Sequence, residues 1–194
     1  MKPLTTRAHE WVAKIVAPGD CVIDATAGNG HDTLFLARQV GSSGRVLVFD
    51  VQQQALRHTV ERIPDSLRTA VIPIHDSHAH LGKYVSGQDY GHVSAVLFNL
   101  GYLPGGDKTI TTQSDSTLSA LRESLEVLKP GGILSVIAYT GHPGGAREAE
   151  QVGDWFGSQS QLWLPESVVA SEAIAASAPL LYLGIKRGKG SLGA

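Results

Sequence analysis

The stretch Cys21-Val22-Ile23-Asp24-Ala25-Thr26-Ala27-Gly28-Asn29-Gly30 decides the fold class of this chain. Its first half is a short apolar run, which predicts a buried strand, and its second half is a turn that contains Gly-x-Gly. Apolar residues then recur with helical spacing through residues 34–40, and Gly41 ends the predicted helix. A strand that runs through a glycine turn into a helix opens a Rossmann-like sheet and can wrap a nucleotide-like ligand.

Apolar runs and amphipathic stretches alternate along the rest of the chain, which predicts an α/β protein with a mostly parallel sheet. Further strands are predicted at residues 45–49, 69–74, 93–98, 133–138, 168–174 and 180–186. Helices are predicted at residues 9–16, 52–63 and 111–128, with another that ends near residue 156. The last two strands are close enough in sequence to form an antiparallel pair.

Composition narrows the class of protein. The 194 residues are 42% hydrophobic and 18% charged, which excludes wholesale disorder and two domains of ordinary size. We expect one domain at residues 1–187 and a flexible tail at residues 188–194. The net charge of −2 argues against tight nonspecific binding to nucleic acid. A single cysteine, Cys21, and the absence of a membrane-length apolar run predict a cytoplasmic protein without a membrane partner.

Polar residues follow several of the predicted strands. Asp50 ends the second strand, 22 positions after Gly28, a distance that suits a carboxylate accepting both hydroxyls of a ribose. Thr33 stands where the third glycine of a dinucleotide fingerprint would fall, so the NAD-type motif is incomplete. Asp76-Ser77 and Asn99-Leu100-Gly101-Tyr102 follow the third and fourth strands. Because ligands sit beyond the carboxyl ends of strands in open α/β sheets, these groups should converge on one site.

Three motifs carry a family resemblance: Asp-Ala-Thr-Ala-Gly-Asn-Gly-His-Asp-Thr at 24–33, Phe-Asn-Leu-Gly-Tyr-Leu-Pro-Gly-Gly-Asp-Lys at 98–108 and Tyr-Thr-Gly-His-Pro-Gly-Gly at 139–145. The chain resembles class I S-adenosylmethionine-dependent methyltransferases and, more narrowly, a small bacterial family of the MnmM type, once labelled rRNA methylases. The resemblance implies a seven-stranded, mostly parallel sheet whose last strand is antiparallel. It also implies N-methylation of the 5-aminomethyl group of wobble (2-thio)uridine in tRNA, which gives 5-methylaminomethyl-(2-thio)uridine.

The same resemblance assigns roles to residues. It implies that S-adenosyl-L-methionine is held at its methionine part by Asp24, Gly28, Asn29 and Gly30. Asp50 would take the ribose hydroxyls with Gln52 just beyond, and Asp76 and Ser77 would lie beside the adenine. Asn99 and Tyr102 stand at the two ends of the place where many amino-group methyltransferases have an Asn/Asp-Pro-Pro-Tyr motif, which holds the nucleophilic nitrogen. Asn99 would also contact the cofactor. Leu-Gly replaces Pro-Pro there, which loosens the analogy for how the amine is held.

The proposed chemistry requires a neutral amine. An alkylamine has a pKa of about 10, so freeing its lone pair at pH 7 costs roughly 4 kcal/mol. Candidate proton acceptors in loops at the predicted active edge are His31, Asp32, Tyr102, Tyr139 and His142. Loss of the proton to water before binding is the alternative.

Other interpretations of the sequence stay open. The enzyme could methylate rRNA or a small amine instead, or the chain could bind S-adenosylmethionine without turnover. The loop at residues 75–80 holds three histidines and an aspartate, but no second cluster completes a metal site, so no metal is expected. We expect an anticodon stem-loop as the RNA partner and a homodimer as the assembly. A local basic patch could be formed by Arg7, Lys14, Lys108, Lys186, Arg187 and Lys189, with a solvated tail as the alternative for the last three.

Overall fold

The computed structural model describes residues 2–103, 105–106, 109–164, 169–170 and 178–188. Its strands are β1 (Cys21–Asp24), β2 (Arg45–Phe49), β3 (Val71–Ile74), β4 (Val93–Leu100), β5 (Leu128–Ala138), β6 (Val169–Ala170) and β7 (Leu180–Ile185). Its α-helices are α1 (Leu4–Val12), α2 (His31–Val40), α3 (Gln53–Arg62), α4 (Asp65–Arg68), α5 (Ser114–Val127) and α6 (Gly145–Ser158). Short 3₁₀ helices at His78–Lys83 and Ser160–Leu162 were not predicted.

The seven strands form one sheet in the order β3-β2-β1-β4-β5-β7-β6. Neighbouring strands from β3 to β5 are parallel, whereas β7 runs antiparallel to both β5 and β6. This confirms the predicted Rossmann-like sheet with its last strand reversed. The rest of the strand predicted at 168–174 and most of the tail predicted at 188–194 lie outside the described residues.

Two apolar cores lie on opposite faces of the sheet because alternate strand residues point to opposite sides. Val22 joins one core, in which buried residues of α1, α2 and α3 pack against the sheet. Ile23 joins the other core with buried residues of α5 and α6 and the first 3₁₀ helix. Trp155, Phe156 and Trp163 lie in this second core, so these aromatic rings are structural. None of the helices in the described part of the chain has the length and apolarity of a membrane span.

Some predicted boundaries differ from the structure. The first helix lies at Leu4–Val12 and not at 9–16, because Pro3 stands at its N-cap and Leu4, Ala8 and Val12 form the stripe that faces the core. The fifth strand begins at Leu128, because the chain pairs with β4 on both sides of a register shift at Val93 and Ala95.

The turn between β1 and α2 depends on Gly30. This residue is the N-cap of α2 and has a left-handed backbone, with φ of 75° and ψ of 17°. A Cβ at Gly30 would lie 2.8 Å from the Cα of Thr59, so α3 packs against the turn at a distance that only glycine permits. This contact holds the second half of α3 against the glycine turn.

We predict that Gly30→Ala destabilises the fold more than Gly144→Ala. Both glycines are left-handed N-cap residues, but a Cβ at Gly144 would meet nothing within 4 Å. Gly144→Ala should therefore cost only the backbone strain of about 1–2 kcal/mol, and Gly30→Ala should add the collision with α3. Urea denaturation of both variants measures this difference, and equal losses of stability would contradict it.

Candidate active site

A cleft of about 570 Å³ opens at the carboxyl ends of β1, β2, β3 and β4. This is the edge at which the sequence predicts a ligand site. All but two of the predicted site residues line it: Gly28, Asn29, His31, Asp32, Asp50, Gln52, Asp76, Ser77, Asn99, Tyr102, Tyr139 and His142. The fold therefore brings residues from five separate loops and strand ends to one place.

Asp24 and Gly30 do not line the cleft, which changes the contact roles expected for them. The Asp24 carboxylate is fully buried beneath the turn, where it accepts hydrogen bonds from the Thr26 backbone N–H (3.1 Å) and the Thr33 hydroxyl (2.6 Å). Asp24 therefore shapes the turn from below. Thr33, at the position of the missing third glycine, supplies the side chain that holds this carboxylate.

Asp50 connects β2 to the glycine turn. Its carboxylate accepts the backbone N–H groups of Gly28 (3.1 Å) and Gln52 (2.8 Å). Burial raises the pKa of Asp50 above its ordinary value, and these two backbone N–H groups oppose that rise. Each carboxylate oxygen retains a further lone pair, so Asp50 is able to accept two hydroxyl groups from a ligand in the cleft.

Asp76 accepts hydrogen bonds from residues that follow it closely in the chain. Its carboxylate accepts the Tyr84 hydroxyl (2.8 Å), the Ser77 backbone N–H (2.7 Å) and His80 Nδ1 (3.1 Å). The hydrogen bond from Tyr84, followed by those from His80 and Ser77, lowers the pKa of Asp76 to about 2. Asp76 is thus charged at neutral pH and is able to accept a hydrogen bond from an amino group.

The histidine-rich loop makes contacts within the protein. His75 Nε2 lies 3.0 Å from the Val51 carbonyl oxygen, and His78 Nδ1 lies 3.2 Å from that of Ala25. Among the described residues, no three His, Cys, Asp or Glu side chains are grouped so as to hold a metal ion.

Asn99 is the next-to-last residue of β4 and lines the floor of the cleft. Its backbone N–H donates to the Thr26 hydroxyl (2.7 Å), and its side-chain Nδ2 donates to Asp32 Oδ2 (2.7 Å). A carboxylate only accepts, so the NH₂ side of the amide must face Asp32. The Asn99 carbonyl oxygen Oδ1 is buried and has no hydrogen-bond partner among the residues that the structure describes. A buried acceptor left without a donor is costly, so this atom indicates a ligand donor group.

His142, Tyr102 and Tyr139 form the other side of the cleft. His142 Nδ1 lies 3.1 Å from the Pro143 carbonyl oxygen, so Nδ1 carries the proton and Nε2 is an acceptor in the neutral ring. That Nε2 is also buried, and no described residue forms a hydrogen bond with it. A Cβ at Gly145 would lie 2.7 Å from His142 Nε2, which explains glycine at that position. Burial, with a smaller effect of the Asp32 charge, raises the pKa of Tyr139 and keeps its phenol protonated.

Several residues of the cleft were missed from sequence. Thr5, Thr26, His78 and residues 110–113 also line it. Thr112 donates to Glu148 (2.6 Å), which is nearly fully buried on α6 and also accepts the Thr117 hydroxyl (2.7 Å). The polar run before α5 indicated residues 110–113. The contact between Thr112 and Glu148 joins positions 36 residues apart, so no local sequence pattern predicts it.

The structure gives Lys186 a different role from the one expected in the basic patch. Its ammonium donates to the backbone carbonyls of Leu125 (2.5 Å) and Leu128 (2.6 Å), so it caps the end of α5. Lys14 lies over the Trp11 ring at 4.7 Å. Lys108 and Lys189 lie outside the described residues.

A cleft at the carboxyl edge of a sheet with only β7 reversed defines a Rossmann-like methyltransferase fold. A structure from Clostridium thermocellum, described as a "putative rRNA-methylase", matches with a TM-score of 0.85 at 36% identity, covering 96% of this chain and 98% of that one. A Streptococcus mutans structure in complex with SAH, described as "a putative methyltransferase", matches with a TM-score of 0.77 at 30% identity, covering 96% of this chain and 99% of that one.

The match of the sequence to a family model identifies the family of this chain. The family model described as "Putative rRNA methylase" matches residues 46–177, and the chain belongs to this family. It is also 41% identical over 166 residues to the chloroplastic tRNA (mnm(5)s(2)U34)-methyltransferase of Arabidopsis thaliana. That match covers 81% of this chain and 60% of the Arabidopsis protein, so the chain spans less than two thirds of that relative's length.

We predict that the free energy of unfolding of the Asp24→Asn variant increases relative to that of the wild type as the pH rises. Burial, and then the charge of Asp32, raises the pKa of Asp24 above the ordinary value of 3.8. The folded state therefore holds this proton more tightly than the unfolded state, and the resulting stabilisation is lost as the pH rises through the raised pKa. Asparagine does not titrate, so the variant should gain relative to the wild type between about pH 5 and about pH 8.

Urea denaturation at the two pH values measures this change. Asp65→Asn is the control, because it makes the same change in a side chain that is 90% exposed. A gain for Asp24→Asn no larger than that of the control would contradict the prediction.

Proposed function

We propose that this protein is an S-adenosylmethionine-dependent N-methyltransferase that acts on the 5-aminomethyl group of wobble (2-thio)uridine in tRNA. The product is 5-methylaminomethyl-(2-thio)uridine. The observation that carries this proposal is the unpaired Oδ1 of Asn99, an acceptor buried at the floor of the cleft. The name of the Arabidopsis relative supports the tRNA substrate.

The cofactor side of the cleft fits S-adenosylmethionine. Gly28 has a φ of 51°, and a Cβ there would meet only the Thr26 carbonyl oxygen at 3.8 Å, so the turn leaves room for a ligand. Asp50 would accept the ribose hydroxyls, and Asp76 would accept the adenine amino group. Gln52, Asn29 and Ser77 complete this side of the cleft. The carboxylates of Asp32, Asp50 and Asp76 give this region negative charge, which favours a cationic ligand.

When bound, S-adenosylmethionine supplies an activated methyl group, which bonds to the amine nitrogen as its bond to sulfur breaks. The protein must align a neutral amine and exclude water. An alkylamine has a pKa of about 10, so a desolvated site that favours the neutral form lowers the barrier. The half-enclosed cleft and the tyrosines at its wall provide that desolvation.

Two buried acceptors would orient the amine. Asn99 Oδ1 and His142 Nε2 both lack partners, and a primary amine with a free lone pair has two N–H groups to offer them. His142 Nε2 is then the group in position to receive the proton that the nitrogen loses. Tyr139 is less suited to this role, because burial raises the pKa of its phenol. Tyr102, His31 and Asp32 would line the path of the substrate.

A methyltransferase for rRNA or for a small amine is the alternative, and the description of the family model favours rRNA. A protein that binds the cofactor without turnover is less consistent with the two unpaired acceptors on the substrate side. We also propose one domain over residues 1–187, a homodimer that supplies part of the RNA surface, and a cytoplasmic location. Sedimentation at working concentration tests the dimer, and a monomer would exclude it.

We predict methyl transfer from labelled S-adenosylmethionine to tRNA prepared from cells that lack this gene. Nucleoside mass spectrometry should show methylaminomethyluridine forming as its aminomethyl precursor is consumed. Transfer to rRNA, or no transfer despite cofactor binding and confirmed precursor, would exclude the proposed substrate. Single-turnover rates with tRNA and with rRNA in parallel reactions distinguish the two.

We predict that Asp50→Ala and Asn99→Ala separate cofactor binding from transfer. Asp50→Ala removes the proposed ribose acceptor and should weaken cofactor binding by about tenfold or more. Asn99→Ala removes the proposed amine acceptor and should slow transfer by about tenfold or more with nearly unchanged cofactor affinity. Calorimetry and single-turnover assays measure the two properties, and parallel loss of both in Asn99→Ala would refute its substrate-side role.

A further inference from the structure

A chain of side-chain contacts reaches the Asn99 amide from the first helix. His9 Nε2 lies 2.8 Å from Asp32 Oδ1, and Asp32 Oδ2 accepts the Asn99 Nδ2 at 2.7 Å. These three residues come from α1, from the start of α2 and from the end of β4. The contacts join positions 23 and 67 residues apart in sequence, so only the tertiary fold assembles them.

The buried Asp32 carboxylate is stabilised by its hydrogen bonds with both His9 and Asn99. It is 8% exposed, and a buried carboxylate is costly unless its oxygens are hydrogen-bonded. One oxygen contacts His9 and the other contacts Asn99, so the two hydrogen bonds together determine how the carboxylate is rotated. Because a carboxylate only accepts, Nε2 of His9 carries the proton in this contact.

His9 is itself held in place. Its ring stacks on Phe35 with centroids 3.7 Å apart and planes 3° from parallel. Phe35 lies three residues after Asp32 on α2, so both residues occupy one face of that helix and hold His9 between them. Thr5, one turn before His9 on α1, lines the cleft. Helix α1 therefore completes the site, although the sequence motifs of the site begin only at β1.

We propose that His9 is a positioning residue: through Asp32 it holds the Asn99 amide with Oδ1 presented to the substrate amine. Loss of the His9 contact frees one carboxylate oxygen of Asp32, and the carboxylate then rotates toward water. The Asn99 amide loses the one side-chain hydrogen bond that it makes within the described part of the chain, and its acceptor atom no longer has a defined direction. His9 itself touches neither the amine nor the cofactor.

The decisive comparison is His9→Gln against His9→Asn. The glutamine amide nitrogen lies near the position of a histidine Nε2 and can reach Asp32, whereas the shorter asparagine cannot. We expect His9→Asn to lower the single-turnover rate about 10- to 100-fold with unchanged cofactor affinity, and His9→Gln to recover most of that loss. Thr6→Ala, an exposed change on the same helix, is the control for general damage to α1.

A double-mutant cycle shows whether His9 acts through Asn99. In an Asn99→Ala background, His9→Asn should change the rate by less than about twofold, because the group that it positions is gone. Independent, multiplicative effects in the two variants would overturn the proposal. Equal rates for His9→Gln and His9→Asn would overturn it as well.

A second readout does not need turnover. The Asn99 side-chain amide signals in a ¹⁵N–¹H spectrum, identified by their loss in Asn99→Ala, should shift in His9→Asn and return toward the wild-type position in His9→Gln. Unchanged signals in His9→Asn would overturn the inference. The single-turnover experiments rest on the proposed function, whereas the interpretation of this spectrum does not. A wild-type protein that fails to methylate tRNA, yet shows the expected spectrum, would therefore refute the function and leave the positioning of Asn99 in place.

Discussion

The close approach of α3 to the turn at Gly30 is the constraint on which the site depends. With the Thr59 Cα only 2.8 Å from where a Cβ would stand, the turn and α3 are in direct backbone contact. Parallel pairing of β1 with β2 places the end of β2 beside this turn, where the Asp50 carboxylate reaches the Gly28 N–H. Asp24 and Thr33 hold the same turn from below. A side chain at Gly30 would separate the elements that carry the cofactor residues.

Carboxylates play different roles in this site because their surroundings differ. Asp24 is fully buried near the charge of Asp32, and its pKa is raised. Asp76 accepts three hydrogen bonds at an exposed edge, and its pKa is lowered. The first stabilises the turn, and the second remains a charged acceptor at neutral pH. Residue type and position at a strand end were the same for both, so the difference arises from burial and hydrogen-bond donors.

The sequence predicted those parts of the fold and site that local patterns determine. The strand–glycine turn–helix unit and the acidic residue at the end of β2 have characteristic spacings, and Gly28 and Asp50 are in hydrogen-bond contact as that spacing suggests. The inward position of Asp24 was not predictable, because it depends on a hydroxyl nine positions later. The first helix was placed too late, because Trp11 and Ile15 resemble core residues but are only partly buried.

Two of the residues missed from sequence, His9 and Glu148, each act through a partner that is distant in the chain. His9 is ordinary in its local sequence, and only the packing of α1 against α2 brings it to Asp32. Glu148 likewise gains its role from hydroxyls on another helix and loop. Strand-end motifs therefore locate the groups that contact ligands, whereas the groups that orient them emerge from helix packing. In this fold the helices around the sheet do more than cover it, since α1 supplies the contact that aligns Asp32 with the Asn99 amide.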